Sequence, residues 1–294
     1  MIHDKLRQKA LVSGLSESTI ENYGRSIARV ALHFKCNPIN IEDEQLESYL
    51  YELRKQYSSK SSFYFNHAVF ALRYLFKLYG QSDRLSTLPQ LKQSNKLPVV
   101  LNRSEVMRLL KSPKSLKTRV LLGLTYDSGM RLFEIRSLRI SDVDDKRKMV
   151  HIRSGKYGRG RYVPISDDII RGIDKYIKLT TPVEYLFNGR QRGQPMSTKT
   201  IQRLMKRAVK EARIDKPVTF HSLRHTYATH FLEDTGDLFS LKNNMGHSQI
   251  QSTLLYVHIV GTMPRSKPYS PLRQLFDMVR SSNAQHRKGH EVDL

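Results

Sequence analysis

The sequence predicts a mainly α-helical protein with a small antiparallel β-sheet (an α+β chain) in two domains, and three observations carry that prediction. Apolar residues recur at helical spacing over most of the 294 residues. The period changes once, where two short strand-like runs flank a glycine-rich turn. Between residues 81 and 98 periodicity is lost and Ser, Pro, Gln, Asn and Lys collect, as in a linker. The division expected is a helical domain at 1–84, a linker at 85–98 and a larger domain at 99–294, a length with ample capacity for buried cores.

In the first domain, Ser18 and Glu21 form a capping-box pattern ahead of Ile20, Tyr23, Ile27, Ala31 and Phe34 at helical spacing, and Pro38 helps to end that helix. Leu46, Tyr49, Leu50 and Leu53 mark a second helix. Phe65, Val69, Leu72, Phe76 and Tyr79 mark a third, with Gly80 as its stop. His67, Arg73 and Lys77 on that helix are either a basic face for a polyanion or ordinary solvated positions. After the linker, Asn102 with Glu105 caps a short helix, and Leu116–Asp127 reads as a buried one. Gly129 breaks the pattern before a run from Arg131 to Leu138. Met149–Arg153 and Arg161–Ile165 are the strands, on either side of Ser154-Gly155-Lys156-Tyr157-Gly158-Arg159-Gly160. Helices resume near 167–180, 198–213 and 221–233, with two shorter ones toward 256.

Fifty Lys and Arg against 27 Asp and Glu leave a net charge of +23, and the pI is near 10.1. That excess points to a polyanionic partner, nucleic acid above all. Residues 97–294 hold 36 of the basic and 18 of the acidic residues, so most of the field lies in the second domain. The single cysteine, Cys36, excludes an internal disulfide framework and a Cys-rich metal site. No apolar run approaches the ~20 residues that span a bilayer, and the first residues do not lead into a signal-peptide core. A cytoplasmic, nucleoid-associated protein without a membrane partner is the expectation.

Three clusters carry the chemistry. In Thr219-Phe220-His221-Ser222-Leu223-Arg224-His225, His221 and Arg224 share a helix face, and a His beside an Arg suits an anion that the guanidinium grips with two donors. Zinc on His221, His225 and His230 would need further ligands, and the segment offers no Cys and no His-Glu-x-x-His pattern. The second cluster is Gly246-His247-Ser248, with Tyr256 nine residues after His247. The third is Ser128-Gly129-Met130-Arg131-Leu132-Phe133-Glu134. Taken singly, each also reads as structural: an ion pair for Arg131 with Glu134, a buried aromatic for Tyr256.

Together, and in this order, they resemble the tyrosine recombinase family, which includes phage-type integrases and the Xer recombinases. Ser128–Glu134 is similar to the family's Thr-Gly-x-Arg-x-x-Glu box. Gly155-Lys156 with Arg161-Tyr162-Val163-Pro164-Ile165 resembles its lysine-bearing hairpin. His221–His225 resembles its His-x-x-Arg box, and Gly246-His247-Ser248 with Tyr256 resembles its closing box. The likeness covers the second domain and, more loosely, the first. Ser128 stands where Thr is usual, Phe133 where a small residue is common, and Asn243-Asn244 where apolar residues usually precede Gly-His.

The resemblance implies the rest. Residues 1–84 would be a core-binding, SAM-like DNA-binding domain and 99–294 a catalytic domain with a C-terminal tail, the two forming a C-shaped clamp on DNA. Tyr256 would attack a phosphodiester, Arg131 and Arg224 would clamp its oxygens, and His247 would hydrogen-bond the phosphate. His221 would serve as general base or relay, and Lys156 would protonate the departing 5′ oxygen. A 3′-phosphotyrosine and a Holliday junction would follow on double-stranded DNA recombination sites, in a homotetramer, with no metal, ATP or other cofactor. A type IB-like topoisomerase shares this residue set, and a catalytically inert DNA-binding relative is the alternative of another class.

Overall fold

The computed structural model describes residues 2–56, 62–91, 97–153 and 160–262, and it divides the chain into two compact units, Met1–Asn95 and Lys96–Leu294. The first unit is helical: α1 (Ile2–Val12), α2 (Glu17–Phe34), α3 (Asp43–Gln56) and α4 (Ser62–Leu78). α4 is apolar on more than one side and therefore lies inside the unit. Phe65, Val69, Leu72 and Phe76 pack with Val30, Ile41, Leu46 and Leu50, while Ala71 and Leu75 pack with Leu6, Ala10, Ile20 and Ile27.

Two expectations change in this unit. α2 starts earlier than the Ser18–Glu21 pattern indicates: Ser16 is its N-cap, accepting from the Thr19 amide at 3.3 Å, and Glu21 pairs with Arg25. Either serine could open the helix, and the earlier start adds two residues before Ile20. The sequence reading places no helix at α1, because among its described side chains Leu6 and Ala10 are buried while Leu11 and Val12 face outward, too thin a stripe to read. The stop at Gly80 is as expected. Its φ of +75° lets the Gln81 amide reach the Phe76 carbonyl at 2.9 Å and its own amide reach that of Lys77. Of the candidate basic face, Lys77 is exposed, but Arg73 donates to the carbonyls of Leu88 and Pro89 and His67 lies against Phe63. Arg84 likewise works within the unit, tying the chain after α4 to Asp43 and to the carbonyls of Ile39 and Ile41.

The second unit contains α5 (Arg103–Lys111), α6 (Leu116–Ser128), α7 (Leu132–Arg136), β1 (Val143–Asp144), β2 (Met149–Ile152) and β3 (Arg161–Pro164). It continues with α8 (Asp167–Thr180), α9 (Thr198–Glu211), α10 (Phe220–Thr235), α11 (Leu238–Met245) and α12 (Gln251–Thr262). The strands form an antiparallel sheet in the order β1-β2-β3, with Val150 opposite Val163 and His151 opposite Tyr162. The two-residue β1 has no signature of its own in the sequence. Val150, Ile152 and Val163 turn inward, whereas His151 and Tyr162 stack on the other face with ring centres 4.6 Å apart. The core gathers Leu121, Leu122 and Leu124 of α6, Ile173 and Tyr176 of α8, Ile201 and Met205 of α9 and Leu223 of α10 around the sheet's inner face.

α10 is buried along most of its length although it carries Ser222, Thr226, Thr229 and His230. Thr226 shows how that is tolerated: its hydroxyl donates to the Ser222 carbonyl and accepts the Leu101 amide at 3.0 Å. Asn243 and Asn244 do not disturb α11. Leu241 and Met245 carry its packing, Asn243 is exposed, and Asn244 donates to the Tyr227 hydroxyl. Among the described residues no helix is long and apolar enough to cross a membrane. Cys36 is a free, exposed thiol.

Candidate active site

Four segments of the second unit converge: the α6–α7 turn, the start of β3, the first turns of α10, and the chain from the end of α11 into α12. The turn after α6 depends on Gly129. It takes a φ of +63° as the helix C-cap, and a Cβ there would lie 2.3 Å from Cδ1 of Tyr227. No other residue could let α6 approach α10 so closely. The chain then presents Arg131 as the residue before α7. Ser128, where the resemblance led to Thr, is buried and donates to the Leu124 carbonyl, and Phe133 is exposed.

Arg131 and Arg224 come together in this site. Arg131 donates to Glu134 at 2.8 Å and to the Gly246 carbonyl at 3.1 Å. Arg224 is 2% exposed and donates to the carbonyls of Gly129 and Met245, at 2.5 and 2.6 Å. Burial, with the neighbouring Arg131 charge, lowers its pKa to about 10, so it stays charged at neutral pH. Glu134 carries the compensating charge. It meets Arg131 and is gripped by both Nη atoms of Arg161 at 2.9 Å; burial works against ionisation, but these guanidinium bonds and the Arg131 amide win and hold its pKa near 2.

Arg161 is a residue that motif matching missed as a site member. From the first position of β3 it also donates to the Asn244 carbonyl, so it joins the strand to the end of α11. Gly246 has φ +61°, and a Cβ on it would lie 2.7 Å from Arg161 Nη1. The glycine of the Gly-His step is thus needed both for its backbone and for the room it leaves.

His247 follows. Its Nε2 is 3.2 Å from Arg224 Nη2 and its Nδ1 is 2.9 Å from the Thr253 hydroxyl. Burial first, then the charges of Arg224, Arg131 and Arg161, lower its pKa to about 4. Tyr256 projects from α12 with its ring nearly parallel to that of His247, centroids 6.4 Å apart. The tyrosine is 2% exposed. Burial raises its phenol to about 12, with Arg224 and Arg131 pulling the other way.

The partner of that phenol is His225, whose Nδ1 lies 2.9 Å from Tyr256 Oη. The structure thus puts His225, and not His221, on the candidate nucleophile. The two histidines are one turn apart on α10, their rings 4.6 Å apart and edge to face, and α12 meets the second turn. His221 stays exposed on the first turn, its pKa lowered by partial desolvation and by Arg224 and Arg131. His225 is lowered further, to about 4, by burial and by its neighbours His221 and Arg224. Only its place beside the Arg in the His-x-x-Arg box could have drawn attention to it. Lys156 lies outside the described residues. His230, the other candidate zinc ligand, points elsewhere, to the Tyr126 hydroxyl. Among the described residues no group of three or more His, Cys, Asp or Glu side chains is arranged to hold a metal ion.

Known proteins share this architecture. The profile of the phage integrase family matches residues 99–261, and that of the phage integrase N-terminal SAM-like domain matches residues 2–83. The tyrosine recombinase XerD of Staphylococcus haemolyticus is 32% identical over 289 residues, covering 90% of this chain and 96% of its own. The XerD of Halalkalibacterium halodurans is 31% identical over 274 residues, covering 86% of this chain and 90% of its own. Among solved structures, the XerH site-specific recombinase bound to a palindromic difH substrate, in a post-cleavage complex, superposes with a TM-score of 0.68 at 22% identity, over 82% of this chain and 76% of that one. The chain belongs to the phage integrase family and is a site-specific tyrosine recombinase.

Proposed function

We propose that this recombinase cuts and rejoins double-stranded DNA through a 3′-phosphotyrosine at Tyr256. The observation that carries the reading is the meeting of two guanidinium groups, an imidazole and a phenol in one buried cluster, with Glu134 as their carboxylate. A phosphodiester resists attack because its oxygens repel the nucleophile and its sugar oxygen leaves poorly. Arg131 and Arg224 offset the first difficulty by holding charge where the transition state gathers it. His247 adds a hydrogen bond to the same oxygens.

Tyr256, held neutral by burial, must lose its proton as it attacks. His225, in contact with the hydroxyl and itself neutral at pH 7, is the proton acceptor, with His221 beside it toward solvent. The Tyr256 oxygen bonds to phosphorus, the bond from phosphorus to the 5′ oxygen breaks, and Lys156 protonates that oxygen. A hydroxyl from a partner strand reverses the step, so phosphodiester energy is kept. Paired exchanges pass through a Holliday junction in a homotetramer, each protomer using 1–84 and 99–294 as the two arms joined by 85–98. This chemistry asks for no metal or nucleotide cofactor.

A nicked suicide duplex taken from the DNA flanking the coding element tests the reading. The wild-type chain is expected to form a covalent protein–DNA adduct and Tyr256→Phe none. An adduct of undiminished yield in Tyr256→Phe contradicts it, and efficient relaxation of a plasmid without such DNA would turn the assignment toward a topoisomerase.

A further inference from the structure

His247 has a hydrogen-bond partner on each ring nitrogen, and one of them fixes the proton. Arg224 is a donor only, so its Nη2 at 3.2 Å requires a lone pair on Nε2 of His247. The proton of the neutral ring therefore sits on Nδ1 and is donated to the Thr253 hydroxyl at 2.9 Å. Thr253 is fully buried at the start of α12, three residues before Tyr256, so its hydroxyl is held where the ring needs it.

We propose that Thr253 is a positioning residue for the cleavage reaction, keeping the His247 proton on Nδ1 so that Nε2 is the ring's only site of proton uptake. The consequence concerns the phosphate. A hydroxyl oxygen accepts from Nδ1–H whether the ring is neutral or cationic, so Thr253 keeps its contact when the charge changes. Arg224, Arg131 and Arg161 face the ring from α10, the α6–α7 turn and β3, and His225 and Tyr256 approach it from α10 and α12. When a phosphodiester enters and draws Arg224 onto its oxygens, Nε2 loses its donor and faces the anion. A proton taken up there points at a phosphate oxygen. With the proton free to shift to Nε2 in the neutral ring, Nδ1 would compete for the next proton and the ring would have no fixed orientation. Thr253 also couples this choice to the nucleophile, because it and Tyr256 ride on the same helix.

The proposal rests on the phosphate-binding reading of His247, and its test separates the two. Long-range ¹H–¹⁵N spectra of the full-length, histidine-labelled chain report the tautomer directly, and cleavage of the nicked suicide duplex reports the function. Wild type is expected to show neutral His247 protonated at Nδ1. Thr253→Val, close in shape but without the hydroxyl, is expected to lose that signature and to slow adduct formation by about 10- to 100-fold, the range seen when the outer hydrogen-bond partner of a metal-bound histidine is removed. Thr253→Ser, which keeps the hydroxyl and loses a methyl, is expected to cleave within a few-fold of wild type.

A purely structural threonine reverses that order, since valine fills the site and serine leaves a void. Equal cleavage by Thr253→Val and wild type, or a greater loss in Thr253→Ser, overturns the proposal. If Thr253→Val does not fold, the wild-type spectrum decides alone: neutral His247 protonated at Nε2 overturns it. Failure of the wild-type chain to form any adduct would instead defeat the phosphate-transfer reading and leave the tautomer result standing.

Discussion

The arginine cluster and the helix that carries Tyr256 meet in one site but are held in different ways. Arg131, Arg161 and Arg224 are fixed by charged hydrogen bonds to one carboxylate, Glu134, and to the carbonyls of Gly129, Asn244, Met245 and Gly246. These are the stronger class of hydrogen bond, and leaving any member unpaired in a buried place is costly. α12 meets the site through two neutral hydrogen bonds, His225 to Tyr256 and His247 to Thr253, and through the apolar packing of Tyr256 and Ile259 with Leu241 and Met245. Each neutral bond contributes about 1 kcal/mol. The arginine half, the proposed phosphate clamp, is thus braced by charged bonds, while Tyr256 is attached by neutral, weaker ones.

The largest predicted effect strikes the rigid half. Arg224→Ala removes the donor from two buried carbonyls and leaves Glu134 short of a neighbouring charge, so it should abolish cleavage and lower stability by about 3 kcal/mol in chemical denaturation. Arg131→Ala, at a more exposed position, should also abolish cleavage while the fold and DNA binding largely persist. Equal destabilisation by the two variants would break the distinction between a buried brace and an accessible clamp. Next comes His225, the partner of the Tyr256 hydroxyl. His225→Asn is expected to slow adduct formation on the order of 100-fold with little change in melting temperature. A full-rate His225→Asn chain with a slow His221→Asn chain would return the base to His221.

The two halves should also titrate apart. His225 and His247, lowered to about 4, hold fewer protons folded than unfolded, so they favour the fold fully above the ordinary imidazole value of 6.5 and lose that contribution as pH falls toward 4. Glu134, lowered from 4.5 to about 2, favours the fold above 4.5 and loses its contribution as pH falls toward 2. Denaturation against pH should therefore show an upper, histidine-dependent loss that is reduced in His225→Asn and a lower one that is absent in Glu134→Gln. The smallest effect is expected at Asn243, exposed on α11: alanine there should change stability by less than about 0.5 kcal/mol, and a larger loss would mean that the α11 end is braced by more than Leu241 and Met245.

The helices, their approximate limits and the hairpin strands were legible because apolar spacing sets which face is buried, and that is a local property of the chain. The family boxes were legible because glycines mark backbone positions that nothing else fills, as at Gly129 and Gly246. What escaped depended on which atoms of distant segments meet. His225 and Arg161 look like any basic residues until α12 and the start of α11's terminal turn are brought against them. Thr253 looks like one more polar helix residue. α1 escaped for a different reason: with two buried residues among its described side chains it leaves almost no periodic trace.

If Arg131 and Arg224 direct one particular phenol onto phosphorus, as proposed, peptide mapping of the trapped adduct will identify that phenol. After digestion of the adduct formed on the nicked suicide duplex, the expected product is a nucleotide joined through its 3′ phosphate to Tyr256 alone, with a free 5′ hydroxyl on the released strand. A linkage at any other residue, or a 5′-phosphoryl attachment, would contradict it.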